Sequence, residues 1–305
     1  MAAAQSHSSQ THYFANFKLW LSFLMHQKID LQHFQHWHVI AFIQMLNEHK
    51  LQHRTILTYI SAIKFYMIKF GYNVQQLSHP LVNQMLKSTA KNVNAPISIK
   101  VIFDVQTMTS IINKTLTLPN GQIYAAIFLL AFHAFFRISN IVPPSISAFT
   151  LSKHLARGDI IFAPPGAHIV LKWSKTIQNR AGRVIQISSI PGSILCPITA
   201  LRRFISANPA LPNHPFFTTT QCPLSTPTQS TTRAFLKNVL AAIGFHSSAT
   251  FHTFRHSGAT LAFQLGVPIQ HIQAHGTWQS DAIWTYLSTA STNVVPSAFS
   301  SHLST

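Results

Sequence analysis

The run from Ile123 to Phe136 is apolar nearly all round, is broken only by His133, and ends at Arg137. Without a polar face it reads as a buried helix, one that needs packing on every side. It is also shorter than the ~20 apolar residues that span a bilayer. The chain must therefore build a globular core, and apolar residues, 47% of the sequence, suffice for one. At 305 residues it exceeds what a single core usually takes, so two domains are expected.

Charge narrows the choice of partner. Lys and Arg number 22 against five acids, a formal charge of +17. Such a surface attracts polyanions through counterion release, which makes nucleic acid the first candidate and anionic membrane its rival. No run is long enough to span a membrane, and Met1 to Ser9 lacks the apolar core of a secretion signal.

The few acids also exclude chemistry. Asp30, Glu48, Asp104, Asp159 and Asp281 are far apart in the chain. A two-metal nuclease or a three-carboxylate transposase gathers its acids around Mg²⁺. Strand cleavage through a nucleophilic side chain, without metal, is favoured in its place. Cys196 and Cys222 make neither a disulfide framework nor a metal-ligand spacing, which fits a reducing compartment. His33, His36 and His38 suggest zinc, but no Cys or carboxylate is expected to join them. Neither a metal nor a cofactor is expected.

Periodicity divides the chain. Residues 1–11 read as a disordered tail and 12–92 as an all-α domain. Phe14, Phe17, Leu21 and Leu24 fall at helical spacing, as do Val39, Phe42, Ile43 and Leu46. A third stripe runs from Ile56 to Met67 and stops at Gly71, and a fourth helix ends near Lys91. Residues 93–102, with Pro96, read as a linker. A second domain follows over 103–290, with Asp104 capping a helix to Asn113. Ile169–Ser174 and Val184–Ile187 read as β segments joined by a turn at 178–182. Helices are expected at 198–206, 231–243, 252–265 and 269–275, and a last one at 281–287. Residues 291–305 form a Ser- and Thr-rich tail. The fold class is thus mainly α with a small antiparallel sheet (α+β), behind an all-α N-terminal domain.

Six side chains in the second domain carry chemistry. Attack on a phosphodiester without metal needs cations at the non-bridging oxygens, an in-line nucleophile and an acid for the leaving oxygen. Arg137 closes a buried helix, where a charge must be paired or hold a ligand, and its planar fork suits phosphate. His252 and Arg255, three apart, share a helix face. An imidazole of near-neutral pKa can accept a proton, so His252 is a candidate base. Trp278 offers a single fixed N–H, and Tyr286 a phenolic nucleophile. Lys175, at the expected turn, can protonate a leaving oxygen. Lys172 competes for that part, but strand alternation leaves it inside the strand.

The order of these residues resembles the tyrosine recombinase (phage integrase) family, most strongly over residues 120–290. Arg137-Ile-Ser matches the first arginine box, Lys175 in Ser-Lys-Thr the hairpin lysine, His252-Thr-Phe-Arg255-His256 the His-x-x-Arg-His box, and Gly276-Thr-Trp278 the box before the nucleophile Tyr286. Arg54 to Lys64 is similar to the family's helical core-binding domain. Ser139-Asn-Ile-Val-Pro-Pro144 and Trp278-Gln-Ser-Asp-Ala282 resemble eukaryotic mobile-element recombinases of the DIRS and Crypton kinds. Two features depart from the pattern. Many members carry an acid three residues after the first arginine, where this chain has Asn140, and the gap from Trp278 to Tyr286 is one residue shorter than in many bacterial members.

The resemblance implies a site-specific DNA recombinase that clamps duplex DNA and works as a homo-tetramer on two DNA sites. Tyr286 forms a 3′-phosphotyrosyl link, Arg137, Arg255 and Trp278 stabilise the transition state, His252 is the base and Lys175 the acid. His53, Arg54, Lys64 and Lys172 are the expected further DNA contacts. The alternatives are a catalytically silent DNA-binding descendant and a type IB topoisomerase-like relaxing enzyme. A eukaryotic member would work in the nucleus, a bacterial one in the cytoplasm at the nucleoid.

Overall fold

The computed structural model describes residues 7–91, 101–173, 182–219, 226–245, 248–278, 281–284 and 287, with backbone alone at 7–9 and 281. The chain divides into two compact units, Met1–Ser98 and Ile99–Thr305. The architecture is mainly helical with a small antiparallel sheet in the second unit.

The first unit holds α1 (His7–His26), α2 (His36–Glu48), α3 (His53–Lys69) and α4 (Pro80–Lys91). Phe17, Trp20 and Leu24 recur at the three- and four-residue spacing that lines one helix face, and all are buried. Trp20 meets Phe34 and Phe42 edge-on, with ring centroids 5.4 and 5.1 Å away. This geometry turns positive ring edges to negative faces. Helix α1 starts at His7, which corrects the expected tail over 7–11. The Tyr66 hydroxyl donates to the Gln10 carbonyl at 3.2 Å, so packing on α3 carries the helix back.

The second unit is built around α6 (Gly121–His133), which packs against α5 (Val105–Leu116), α8 (Pro197–Ala207) and α10 (Phe251–Gln264). Every residue from Ala125 to Phe132 is buried. Full burial of one such large apolar side chain contributes about 1.5–3 kcal/mol. Asp104 caps α5 by accepting from the Thr107 N–H at 2.7 Å, and the helix runs three residues past the expected Asn113. Helix α6 stops three residues short of the expected Phe136, because Phe135 adopts a left-handed φ of 52°. That turn aims Arg137 at the start of the short α7 (Ile138–Ile141).

Strands β1 (Ile160–Ala163), β2 (Gly166–Leu171) and β3 (Arg183–Ser188) pair antiparallel in that order. Ile169 faces Ile185 and Ala167 faces Ile187, so alternation buries Ala167, Ile169, Leu171, Ile185 and Ile187 on one face. Strand β1 is an addition to the two expected segments. Lys172 lies one residue beyond the end of β2, not within the strand as alternation suggested. Helices α9 (Gln229–Ala242) and α11 (Ile269–Gly276) complete the unit. The expected last helix opens with a 3₁₀ turn at Asp281–Ile283, and Trp284 and Leu287 beyond it are helical. The turn at 178–181, Cys222 and the 291–305 tail lie outside the described residues. Among the described residues, no helix is long and apolar enough to cross a membrane.

Candidate active site

Helix α10 carries two of the predicted residues and is pressed hard onto α6. A Cβ at Gly258 would lie 2.1 Å from the Phe132 carbonyl oxygen, so only glycine permits this approach. The contact buries Arg255 to 1% exposure. Backbone holds two of its guanidinium nitrogens: Nη1 donates to the Phe135 carbonyl and Nη2 to the Gly276 carbonyl at 2.8 Å. The Phe135 carbonyl is turned toward Arg255 at the left-handed residue that ends α6.

The second feature is the indole of Trp278, whose ring centroid lies 3.9 Å from the Arg255 guanidinium carbon. This is a cation–π contact in a dry setting, where such contacts are strongest. A Cβ at Gly276 would lie 1.7 Å from Cζ3 of Trp278, which explains the glycine two residues before the indole. Trp278 belongs to a buried cluster with Phe135, Ala259, Ile272, Ile283 and Leu287. Tyr286 itself lies outside the described residues, but Ile283 and Leu287, on either side of it in the chain, are seated in that cluster.

Arg137 is half-buried, and its Nη1 is buried without a hydrogen-bond partner among the described residues. A buried guanidinium N–H without an acceptor is costly unless a ligand supplies one. Beside it, the His252 pKa is pushed down to about 4, first by loss of hydration and then by the positive charges of Arg255, Arg137 and His256. His252 is therefore neutral at pH 7 and able to accept a proton. His256 turns elsewhere, with Nδ1 3.4 Å from the Val101 carbonyl oxygen.

Asn140, which sequence reading treated only as a departure, is buried and supports this turn. Its Oδ1 accepts from the Arg137 N–H at 3.0 Å, and its Nδ2 donates to the Trp173 carbonyl at 3.0 Å. Lys172 pairs with Asp159 at 2.6 Å, so it is tied at the sheet. Lys175 lies outside the described residues.

The structure thus brings Arg137, His252, Arg255 and Trp278 together, while His53, Arg54 and Lys64 stand on α3 of the first unit. Arg54 and Lys64 are exposed, Lys64 donating to Ser78 Oγ at 3.3 Å, and His53 shares a 2.8 Å hydrogen bond with Thr89. At the histidine cluster, one expectation is corrected. A carboxylate does approach, with Asp30 Oδ1 3.7 Å from His33 Nδ1, because the turn before α2 folds back. Among the described residues, no group of three or more His, Cys, Asp or Glu is placed to hold a metal.

Sequence reading missed Gly258, Phe135 and the two-sided role of Asn140, and named Gly276 only as part of a box. Gly276 carried a signal, since it sits within a motif and two residues before a bulky indole. The carbonyls of Phe135 and Gly276 carried none, because every residue has one.

No protein-family model and no curated protein matches this sequence. Solved structures do resemble it. A lambda integrase tetramer bound to a Holliday junction matches at 11% identity with a TM-score of 0.61, covering 93% of this chain and 75% of that one. XerH site-specific recombinase, in a post-cleavage complex on a palindromic difH substrate, matches at 14% identity with a TM-score of 0.59, covering 88% and 73%. The Tn1549 transposon integrase with circular intermediate DNA matches at 12% identity with a TM-score of 0.58, covering 93% and 90%. This chain therefore shares the fold of the tyrosine recombinases.

Proposed function

We propose that the protein is a site-specific DNA recombinase that cuts and rejoins strands through a 3′-phosphotyrosyl intermediate, in the service of a mobile element. The observation that carries this reading is the buried Arg137 Nη1, without an acceptor among the described residues, beside a His252 held neutral. Such a pair suits a bound phosphodiester anion attacked by a hydroxyl that must give up its proton. The Tyr286 oxygen attacks phosphorus, the phosphorus–O5′ bond breaks, and the 5′-oxygen takes a proton from Lys175. Arg137 and Arg255 hold the charge that develops on the non-bridging oxygens. Trp278, read from sequence as a further N–H donor, also fixes the plane of Arg255 with its ring. His252 accepts the phenol proton. The ester conserves the bond energy, so a second 5′-hydroxyl reverses the step without ATP or metal.

The fold's company supports the wider reading. The matched lambda integrase is a tetramer on a Holliday junction, and the Tn1549 protein is a transposon integrase. We assign this chain likewise to a homo-tetramer on two DNA sites, and the wording around Asn140 and Trp278 to the eukaryotic mobile-element kind, acting in the nucleus. His53, Arg54, Lys64 and Lys172 are assigned to duplex contacts.

The test is a nicked suicide DNA drawn from the element's own ends. Wild type should leave a denaturant-resistant protein–DNA adduct, and Tyr286→Phe none. Normal DNA affinity without an adduct would establish a catalytically silent DNA-binding protein instead. Plasmid relaxation without site preference would establish a topoisomerase-like enzyme.

A further inference from the structure

Asn140 is 3% exposed and uses both ends of its amide on chain segments far apart in sequence. Its oxygen accepts from the Arg137 N–H, and its nitrogen donates to the carbonyl of Trp173, each at 3.0 Å. Trp173 lies just past the end of β2, two residues before Lys175 in sequence. The same strand exit is held from another side by Lys172 on Asp159 at 2.6 Å, and Asp159 in turn accepts from the Ala156 N–H at 2.6 Å. The strand that leads to the lysine is thus anchored, and one of its anchors is also what shapes the Arg137 turn.

We propose that Asn140 is a positioning residue that couples phosphate capture by Arg137 to protonation of the leaving oxygen from the hairpin. This inference rests on the functional reading above. The amide is essential to it. An amide accepts and donates, whereas a carboxylate only accepts. Aspartate at 140 would keep the bond from the Arg137 N–H, lose the one to Trp173, and set an anionic oxygen against a carbonyl oxygen. In this chain, therefore, the acid found at the corresponding place in many tyrosine recombinases does not substitute for asparagine.

The experiment compares full-length wild type, Asn140→Asp and Asn140→Ala in single-turnover cleavage of two nicked DNAs. One has the ordinary 5′-oxygen at the scissile bond; the other has sulfur there, which leaves as thiolate and needs no proton. Asn140→Asp should slow the oxygen substrate about 100-fold, the scale of general-acid catalysis, and the sulfur substrate less than about 3-fold. Asn140→Ala, which also releases the Arg137 turn, should slow both. Amide hydrogen exchange gives a readout independent of activity. In Asn140→Asp, exchange over Val170–Trp173 should quicken while α5 and α6 stay unchanged. Equal slowing of both substrates by aspartate would overturn the coupling, as would no slowing of either. Unchanged exchange at Val170–Trp173 would overturn the tie itself. If wild type cleaves neither DNA yet exchange responds as expected, the functional reading fails while the tie stands.

Discussion

Among the described residues, the two units differ in whether any positive charge is buried. Around the aromatic core of Phe17, Trp20 and Phe42, the first unit keeps Lys50, Arg54, Lys64, Lys69 and Lys87 exposed. The second unit buries Arg255 to 1% and Arg157 to 8% exposure. Arg157 donates to the carbonyls of Asn208 and Thr218 and lies over Phe204 and Phe216, 4.8 and 5.3 Å from their centroids. Burial pushes its pKa down only to about 10, so it stays charged at neutrality. In a chain with five acids, a buried cation is held by carbonyl dipoles and aromatic faces. These stabilise the charge without neutralising it, which leaves a positive interior able to receive an anion. An exposed lysine contributes field alone.

If that contrast is right, removing a buried cation should cost far more than removing an exposed one. Arg255→Met strips a charged donor from the Phe135 and Gly276 carbonyls and should lower stability by about 4 kcal/mol in denaturant unfolding. A loss below about 1 kcal/mol would show that the carbonyls find other partners.

Acid should test the same unit next. His133 Nε2 donates to the Leu195 carbonyl at 3.0 Å, and His275 Nε2 donates to the His133 carbonyl at 2.8 Å. Burial pushes the His133 pKa from 6.5 to about 4, and the charge of His275 adds to that fall. Below pH 6.5 the unfolded chain takes up a proton that the folded one refuses until about pH 4, so stability present above 6.5 is lost as pH falls through that window. The loss from this one group approaches roughly 3 kcal/mol. His133→Gln keeps a donor for Leu195 and should flatten the slope between pH 6.5 and 4. An unchanged slope would assign the acid sensitivity elsewhere.

The smallest effect belongs to the first unit. Lys64→Ala should change stability by less than about 0.5 kcal/mol. On the proposed function it should also weaken DNA binding evenly across sequences and reduce the salt slope by about 1. A large stability loss would blur the contrast between the units.

Much of this was legible in the chain. The stripes of α1 and α2 needed only the spacing of Phe17, Leu24, Val39 and Leu46, because one buried face imposes a period. The Ile123 to Phe136 run announced a central helix with a cation behind it, though not that Phe135 would turn left-handed and end the helix early. Strand β1 went unseen because Ile160–Ala163 is short and only partly buried.

By itself, the sequence determined the helical faces, the excess of cations over acids, and the order in which Arg137, His252, Arg255 and Trp278 appear. Only the tertiary structure decided what each of them touches. Arg255 finds the Phe135 carbonyl 120 residues away, and Asn140 finds Trp173 across 33. Periodicity is a local property that reports which face is buried. Backbone carbonyls are alike at every position, so which of them meets a guanidinium is chosen by packing alone.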